Sequence, residues 1–297
     1  LRSQVSDARA GIYGPGSVSW RVDRESIAFM AGGRAAVLQL AHPFVAHAVG
    51  QHSLARANPL ARFQRTFEHV FAMVFGDLDS AIRSARRVHT IHTHIVGTID
   101  RDIGPFCKGT RYEANDDDAL FWVHATLLDS AVLAYELVVG PLSDRDKEQL
   151  YAESRRFTML FGISERAIPP TWDAFQRYNR KMWSWLRVAE PAKEMAAHLL
   201  SPAAIKPDWL ARWYRIMTAG MLPDAVRVQL GMPWRRRERI AFASSLRALR
   251  TAYRAMPGRV RFVPAYHDAM RRLAGKQGRD PLGQLVERYV LQAPLRS

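Results

Sequence analysis

The sequence predicts an all-α protein, a multi-helix bundle, because apolar residues recur with helical spacing along most of its 297 residues. Pro and Gly separate these periodic segments at the places where helices begin and end. Alternating apolar and polar runs, which would predict strands and hairpins, do not stand out, and no internal repeat is evident. A chain of this length can bury a large core, in one domain or two.

The first predicted helices follow one another closely in the chain. Segment 26–41 ("SIAFMAGGRAAVLQLA") has helical periodicity and is stopped by Pro43. Segment 59–76 begins with Pro at a helix-opening position and ends in Gly. Segment 77–97 begins with acidic capping residues and also ends in Gly, so we expect three consecutive helices here.

Segments 117–140 and 143–162 repeat this plan, with polar or acidic residues at the start and Gly at the end. Residues 119–140 are apolar enough to cross a bilayer, but His124 and Glu136 lie among them, and such groups are costly in lipid. We therefore expect a helix buried at the centre of a soluble bundle. Later helices are predicted near 171–186, 190–200, 207–219, 235–255, 263–274 and 280–291.

The net charge of +15 is concentrated towards the C-terminus. Residues 231–297 contain 15 Lys or Arg and 4 Asp or Glu, which gives this region about +11. Such a surface is either a solvated face or a contact for anionic lipid, nucleic acid or an acidic partner. No nucleic-acid-binding motif is present, so we expect no nucleic-acid partner and consider peripheral contact with an anionic membrane. The expected location is cytoplasmic or peripheral to a membrane, and a start at Leu1 leaves room for a targeting signal.

Three of the ten histidines lie in "RVHTIHTHIVG", residues 87–97. At about 100° per residue, His89 and His92 share the apolar face of the predicted helix, whereas His94 falls on its polar side. The three side chains cannot bind one ion from this helix alone. What remains is one or two core-facing histidines that either bind a cofactor or form ordinary buried hydrogen bonds.

Several other kinds of catalytic site lack their motifs in this chain. The single cysteine, Cys107, excludes multi-cysteine metal sites and an internal disulfide framework. The Glu-x-x-His pairs of di-iron proteins, the zincin motif His-Glu-x-x-His and the Gly-x-Ser-x-Gly elbow of hydrolases do not occur. Haem iron needs only one protein ligand, so a haem bound by a core-facing histidine remains a chemical option.

The stretch "RFQRT" places Arg62 and Thr66 four residues apart, on one face of the predicted helix. Phe63, Phe67 and Phe71 give the same helix a wide apolar side. An arginine and a hydroxyl beside an apolar wall would suit an oxygen-binding pocket or a carboxylate-binding position. The alternative is a surface arginine and a threonine that bonds to the backbone.

Six motifs occur along the chain in a characteristic order: "AGGRAAVLQLAHPFVAHAVGQHS", "PLARFQRTFEHVFAMVFG", "VHTIHTHIVG", "LFWVHATLLDSAVLAYE", "YAESRRFTMLFGI" and "AGMLPDAVRVQLGMPW". Together they resemble the MpaB/rubber-oxygenase (latex-clearing-protein) family over roughly residues 10–240. The resemblance implies a catalytic domain at 1–240, with 241–297 as basic C-terminal helices packed on the same domain.

The resemblance also implies a globin-like core, haem b as the iron cofactor and cleavage of isoprenoid carbon–carbon double bonds by O₂. His92, in "HTHIVG", matches the axial ligand of the family, and His124, in "WVHATLLDS", is the rival ligand. Arg62 and Thr66 match an Arg-x-x-x-Thr pair near the haem. The apolar walls would come from Phe63, Phe67, Phe71, Phe121 and Trp122.

This chain departs from the rubber-cleaving branch of the family at two places. A lysine that can bind the sixth iron position there is replaced by Arg65, whose guanidinium keeps its proton and is a poor ligand. The glutamate proposed there as a base has no evident counterpart, and the corresponding region offers His42 and His47. The expected substrate is therefore a hydrophobic, alkene-bearing molecule and not rubber in particular. Two alternatives use the same features without turnover: a haem or lipid carrier, and a helical module that docks through its basic C-terminal region.

Overall fold

The computed structural model describes residues 5–52, 59–276 and 278–280, and it describes only the backbone of residues 59–64. Within these residues the chain is predominantly helical, which confirms the all-α prediction. The helices are α1 (Val18–Asp23), α2 (Ala28–Leu40), α3 (Pro43–His52), α4 (Pro59–Phe75), α5 (Leu78–Thr93), α6 (Asp117–Val138), α7 (Asp144–Phe161), α8 (Trp172–Trp185), α9 (Glu190–Leu199), α10 (Asp208–Met221), α11 (Asp224–Gln229), α12 (Arg236–Ala255), α13 (Gly258–Arg261) and α14 (Pro264–Leu273).

The predicted helices agree closely with the structure, and several of their boundaries carry capping side chains. Asp77 and Asp116 accept hydrogen bonds from backbone N–H groups in the first turns of α5 and α6. Ser143 and Asp146 form a reciprocal capping box at the start of α7. The helix predicted at 280–291 lies outside the described residues, whereas the short helices α1, α3, α11 and α13 were not predicted.

A small antiparallel hairpin departs from the sequence prediction. Strand β1 (Val96–Thr98) pairs with β2 (Arg111–Glu113), with Gly97 opposite Tyr112. The helix expected over 77–97 therefore ends at Thr93, and its last residues turn into a strand. A Cβ atom at Gly97 would lie 2.6 Å from the Tyr112 hydroxyl oxygen. The sequence predicted Gly97 as the end of a helix, but the hairpin requires a glycine here because no larger residue fits.

Helices α2 and α6 pack against each other at the centre of the molecule. The Trp122 indole donates a 2.9 Å hydrogen bond to the Leu38 carbonyl and joins the two helices. Helix α10 covers α2 on another side, where a Cβ at Gly33 would come within 2.5 Å of the Thr218 hydroxyl oxygen. Gly33 therefore allows close helix packing, and the "AGGRAA" stretch is part of helix α2 and not a phosphate-binding loop.

Helix α6 is long and apolar enough to cross a membrane by length and composition alone, but 56% of its most apolar window is buried inside the protein. Its neighbours include α2, α7 and α12. This packing agrees with the prediction of a helix at the centre of a bundle.

Helices α1, α4, α5 and α7 form the second part of the bundle. The Trp20 indole donates a hydrogen bond of 2.9 Å to the Val74 carbonyl and ties α1 to α4. Helices α4 and α7 are the main helical neighbours of α5. A globin-like arrangement of the core stays a prediction.

The C-terminal helices lie on the outside of this bundle. Helix α12 packs on α10 and α6, and α14 packs on α4. The side chains of Arg235, Arg236, Arg237 and Arg239 are exposed, as the excess of local positive charge requires. The division of the chain at residue 240 stays a prediction.

Candidate functional site

A cavity lies among α1, α2, α4, α6 and α7. Its volume is about 90 Å³, counted as the space open to the centre of a water molecule, whereas one water needs only about 10–15 Å³. Its lining residues are Tyr13, Ser19, Asp23, Ala28, Ala31, Gly32, Ala35, Phe67, Val70, Phe71, Val74, His124, Leu127, Leu128, Ser130, Ala131, Leu150, Ser154 and Phe157. Most of this wall is apolar, so the cavity suits a hydrophobic ligand.

Each helix presents one face to the cavity, and the face of α2 creates the room. Ala28, Ala31, Gly32 and Ala35 follow the i, i+3, i+4, i+7 spacing of one helix face. None of the four carries a side chain longer than a methyl group, so this face of α2 leaves the space between it and the opposing helices empty. This small-residue face was readable in the sequence, but its partners across the cavity were not.

His124 is the residue on this wall with the most distinctive chemistry. Its side chain is buried, and the imidazole stacks on the Phe157 ring with centroids 5.6 Å apart and planes 25° apart. Burial lowers the pKa of His124 to about 4, so the ring is neutral at physiological pH. Its Nε2 atom is buried and has no hydrogen-bond partner among the described residues. A neutral imidazole nitrogen without a partner is available to bind a metal.

The polar part of the wall comes from the N-terminal segment. Ser19 and Asp23 lie one turn apart on α1, and Tyr13 lies just before that helix. Burial, and then the negative charge of Glu153, raises the pKa of Asp23 to about 7. Burial also raises the pKa of the Tyr13 hydroxyl well above its usual value, with the charges of Asp23 and Glu153 as further causes. The cavity thus combines an apolar wall with two polar groups whose pKa values are raised.

A buried network behind the cavity fixes α6 against α2. The guanidinium of Arg34 donates to the Ser130 hydroxyl at 2.6 Å, to Asp129 at 2.6 Å and to the Met221 carbonyl at 2.8 Å. Arg34 is only 2% exposed, so its charge depends on the Asp129 carboxylate for compensation. Sequence reasoning missed this pair, because nothing in the spacing of residues 34 and 129 shows that they meet.

The histidines of α5 lie outside this cavity. His92 is half-buried on the last turn of the helix, His94 is exposed, and neither is among the cavity-lining residues. The prediction that His89 faces the core is wrong, since its side chain is exposed. The buried residues of α5 all lie in its first half. The apolar face of the helix therefore extends beyond the part that packs against neighbouring helices. The role of His92 as an iron ligand stays a prediction.

The residues predicted from α4 divide into three groups. The side chains of Arg62 and Phe63 lie outside the described part of the chain. Arg65 and Thr66 are exposed and are not among the cavity-lining residues. Their neighbour Phe67 does line the cavity, as does Phe71 one turn later.

Phe121 and Trp122 were also predicted to form the apolar wall, but both are buried in a different part of the core. They belong to the cluster around α8 and α9, where Phe121 contacts Tyr178 with ring centroids 5.0 Å apart. Because α6 is mostly apolar, its sequence does not show which of its faces lines the cavity.

His42 and His47 lie on another side of the molecule. Burial lowers the pKa of His42 to about 4, and its ring packs among Phe44, Phe106 and Trp185. His47 bridges the Pro43 carbonyl and Asp100, at 2.8 and 3.0 Å. Neither histidine is among the residues that line the cavity.

Comparison with known proteins agrees with the motif pattern. The family model described as "ER-bound oxygenase mpaB/B'/Rubber oxygenase, catalytic domain" matches residues 20–283. The chain belongs to this family. The mpaB/rubber-oxygenase family is one of oxygenase catalytic domains, and this gives the chain a general oxygenase role.

Two curated mycobacterial proteins are similar to this mpaB/rubber-oxygenase family member. One is an uncharacterized protein of Mycobacterium tuberculosis and the other an uncharacterized protein of Mycobacterium bovis. Each is 24% identical over 232 residues, which cover 75% of this chain and 88% of the relative. No solved structure matches the chain significantly.

Among the described residues, no cluster of three or more His, Cys, Asp or Glu side chains could hold a bare metal ion. A porphyrin supplies four of the iron ligands itself, so one imidazole is enough on the protein side. His124 provides such an imidazole on the wall of the cavity.

Proposed function

We propose that this member of the mpaB/rubber-oxygenase family is a haem b-dependent oxygenase that uses O₂ to cleave a carbon–carbon double bond of a hydrophobic, isoprenoid-type substrate. The general oxygenase role comes from the family. The observation that carries the cofactor assignment is the buried imidazole of His124, which has an unpartnered nitrogen beside an apolar cavity.

The chemistry of the residues around the cavity suits a haem. An orphaned buried nitrogen costs free energy unless a ligand or a water satisfies it, and iron would do so. Phe67, Phe71 and Phe157 offer aromatic surface for a flat apolar macrocycle. When bound, the haem iron supplies the binding and activation of O₂ that the reaction needs.

The remaining roles fall to side chains of this chain. Stacking on Phe157 holds the His124 ring in one orientation, and burial keeps it in the neutral form that can bind iron. The aliphatic groups of Leu127, Leu128 and Val70 exclude water and bind the hydrocarbon part of a substrate. From the resemblance, Arg62 and Thr66 are proposed as polar residues near the haem, and Arg65 takes the position of the branch-specific lysine.

The axial ligand has two candidates, and they come from different arguments. The family motif points to His92, and the position of His124 on the cavity wall supports His124. The structure favours His124 in this chain, because the half-buried His92 is not among the cavity-lining residues. A simple pair of variants separates the two.

The test is the absorption spectrum of the purified protein, with haem added where needed. We expect a Soret band at about one haem per chain, lost in His124→Ala and retained in the exposed control His94→Ala. If His92→Ala loses the band and His124→Ala keeps it, the motif assignment is right and the cavity assignment is wrong. Absence of haem binding in every form would contradict the cofactor proposal.

Turnover is measured separately, as O₂ consumption with an isoprenoid alkene and detection of carbonyl products. A protein that binds haem at full stoichiometry but consumes no O₂ with any such substrate would be a carrier, which is the non-enzymatic alternative. The apolar cavity is compatible with both, so only turnover distinguishes them.

A further inference from the structure

The polar atoms on the cavity wall differ in whether they already have hydrogen-bond partners. The Ser154 hydroxyl donates to the Tyr151 carbonyl at 2.7 Å, and the Ser130 hydroxyl oxygen accepts from Arg34. The Ser19 hydroxyl is 2.8 Å from a Glu153 carboxylate oxygen, to which it donates. These hydroxyls are therefore committed to the protein framework.

Asp23 is different, because no hydrogen-bond donor reaches its carboxyl group within the part of the chain that the structure describes. Its neighbour Glu153 accepts bonds from Val18 N, Ser19 N, Ser19 Oγ and Gln149 Nε2. Two carboxyl groups thus lie near each other, one fully bonded and one facing the cavity without a partner. A carboxyl group that lines a cavity and has no hydrogen-bond partner is available to a ligand or a water.

Two effects disfavour a charge on Asp23. Its carboxyl group is largely shielded from solvent, and Glu153 is a nearby negative charge. The side chain therefore holds its proton over a range in which most aspartates have lost theirs. A protonated carboxyl group is a hydrogen-bond donor, which an ionised one is not.

We propose that Asp23 anchors the substrate of this cavity by donating a hydrogen bond to a neutral hydroxyl or carbonyl oxygen at one end of an otherwise apolar molecule. The substrate class is then an oxygenated isoprenoid-type compound, such as an alcohol, aldehyde or ketone. This inference rests on the proposed function only in taking the cavity as the substrate site.

The same arrangement selects against two other classes of ligand. A carboxylate or phosphate would approach Glu153 and, once ionised, Asp23, and like charges repel strongly in a poorly solvated site. A pure hydrocarbon would leave the Asp23 carboxyl desolvated and unbonded, and sites built to hydrogen-bond a ligand discriminate against analogues that lack the group. The walls formed by Phe67, Phe71 and Leu128 accept the hydrocarbon chain in either case.

The test uses three probes with one carbon skeleton: farnesol, the related hydrocarbon farnesene and farnesoic acid. Their dissociation constants are measured by calorimetry at pH 6 on the whole purified protein, with whatever haem it holds. We expect farnesol to bind at least about tenfold more tightly than farnesene, the size of effect that one buried hydrogen bond supports. Farnesoic acid should bind most weakly.

Substitutions at Asp23 then identify the anchor. Asp23→Leu should reduce the farnesol-to-farnesene preference to about one, and Asp23→Asn should keep part of it, because the amide also donates. The control is Asp173→Asn, since the Asp173 side chain is 73% exposed on α8. Circular dichroism and thermal melting establish that each variant is folded.

Two outcomes overturn the inference: equal binding of farnesol and farnesene by the unmodified protein, or a preference that survives in Asp23→Leu. Binding of none of the three probes overturns it as well. If Asp23→Leu does not fold, the probe series and Asp23→Asn still decide. The Soret band of the same samples separates the two proposals. A preference without haem leaves the anchor standing while the oxygenase proposal fails, and haem without a preference does the reverse.

Discussion

Helices α6 and α12 are nearly equal in length, at 22 and 20 residues, but they differ in composition and in burial. Helix α6 is mostly apolar and contributes half of its residues to the interior, whereas Leu246 and Tyr253 are the buried residues of α12. The exposed face of α12 carries arginines and also Ile240, which is 55% exposed. Helix α6 therefore contributes to the wall of an internal cavity, whereas α12 presents a charged face to solvent.

The difference shows where a histidine becomes chemically useful. The three histidines of α5 are conspicuous in the sequence, but the helix leaves the packed bundle before it reaches them. The single histidine of α6 has no such local signal, and its environment isolates it from water. Burial, and not histidine density, lowers the pKa of His124 and leaves its Nε2 atom without a partner among the described residues.

The largest effect on the fold should come from a charge placed inside α6. Ala125 is 0% exposed, so Ala125→Glu buries a carboxylate with no partner and should cost about 4 kcal/mol or more. The matched change Ala243→Glu, at an exposed position on α12, should stay within about 0.5 kcal/mol of the unmodified protein. Urea unfolding measures both. Similar losses in the two variants would mean that α6 is not the interior helix.

A smaller effect, with a defined pH dependence, is expected at the cavity wall. The pKa of Asp23 is raised from 3.8 to about 7 in the folded protein, so the unfolded chain loses this proton first as pH rises. The free energy of unfolding therefore falls as the pH rises from about 4 to about 7, and Asp23→Asn removes this decrease. The variant should be more stable than the parent by on the order of 2 kcal/mol at pH 8 and no more stable at pH 4.

Unfolding curves of both proteins from pH 4 to pH 8 measure this difference. The exposed control Asp173→Asn should show no rise in relative stability across the same window. A stability difference that is flat with pH would show that Asp23 titrates normally and is not confined to the cavity.

Filling the cavity should change binding more than stability. Ala131 lines the cavity on α6, so Ala131→Leu places a larger side chain in empty space and should weaken haem or farnesol binding by about tenfold. The melting temperature should change by only a few degrees, corresponding to about 1 kcal/mol. The same substitution at the exposed Ala248 of α12 should affect neither. Unchanged binding in Ala131→Leu would place the ligand elsewhere.

The sequence predicted the helices of this fold well, because caps and glycine ends are local signals. The face of α4 formed by Phe67 and Phe71 was also predictable from spacing alone. The cavity was not, since it depends on the small-residue face of α2 meeting side chains from α1 and α7 that are distant in the chain. Asp23 and Tyr13 carry no motif, and their shifted pKa values arise from burial that only the fold creates.

Periodicity failed for a different reason at α5. The stripe that includes Ile91 has the spacing of a buried face, yet Ile91 is 49% exposed. An apolar stripe shows that a helix can bury one side, and the neighbours decide how far along its length it does so. Structural context, and not composition, therefore separates His92 from His124.

The smallest effect on the fold, and the clearest test of α12 as an outward-facing helix, concerns membrane contact. A hydrophobic substrate partitions into lipid, so an oxygenase gains by sitting at a membrane surface. Each basic group near an anionic leaflet contributes about 1 kcal/mol to such binding, and the exposed apolar side chain of Ile240 on the same helix adds to it. We expect salt-sensitive sedimentation with anionic vesicles and none with neutral ones.

Replacing Arg235, Arg236, Arg237 and Arg239 together by Gln should abolish this binding, and the unfolding free energy should change by less than about 0.5 kcal/mol because all four side chains are exposed. Equal sedimentation with both kinds of vesicle, or none with either, would leave this face of α12 as ordinary solvated surface.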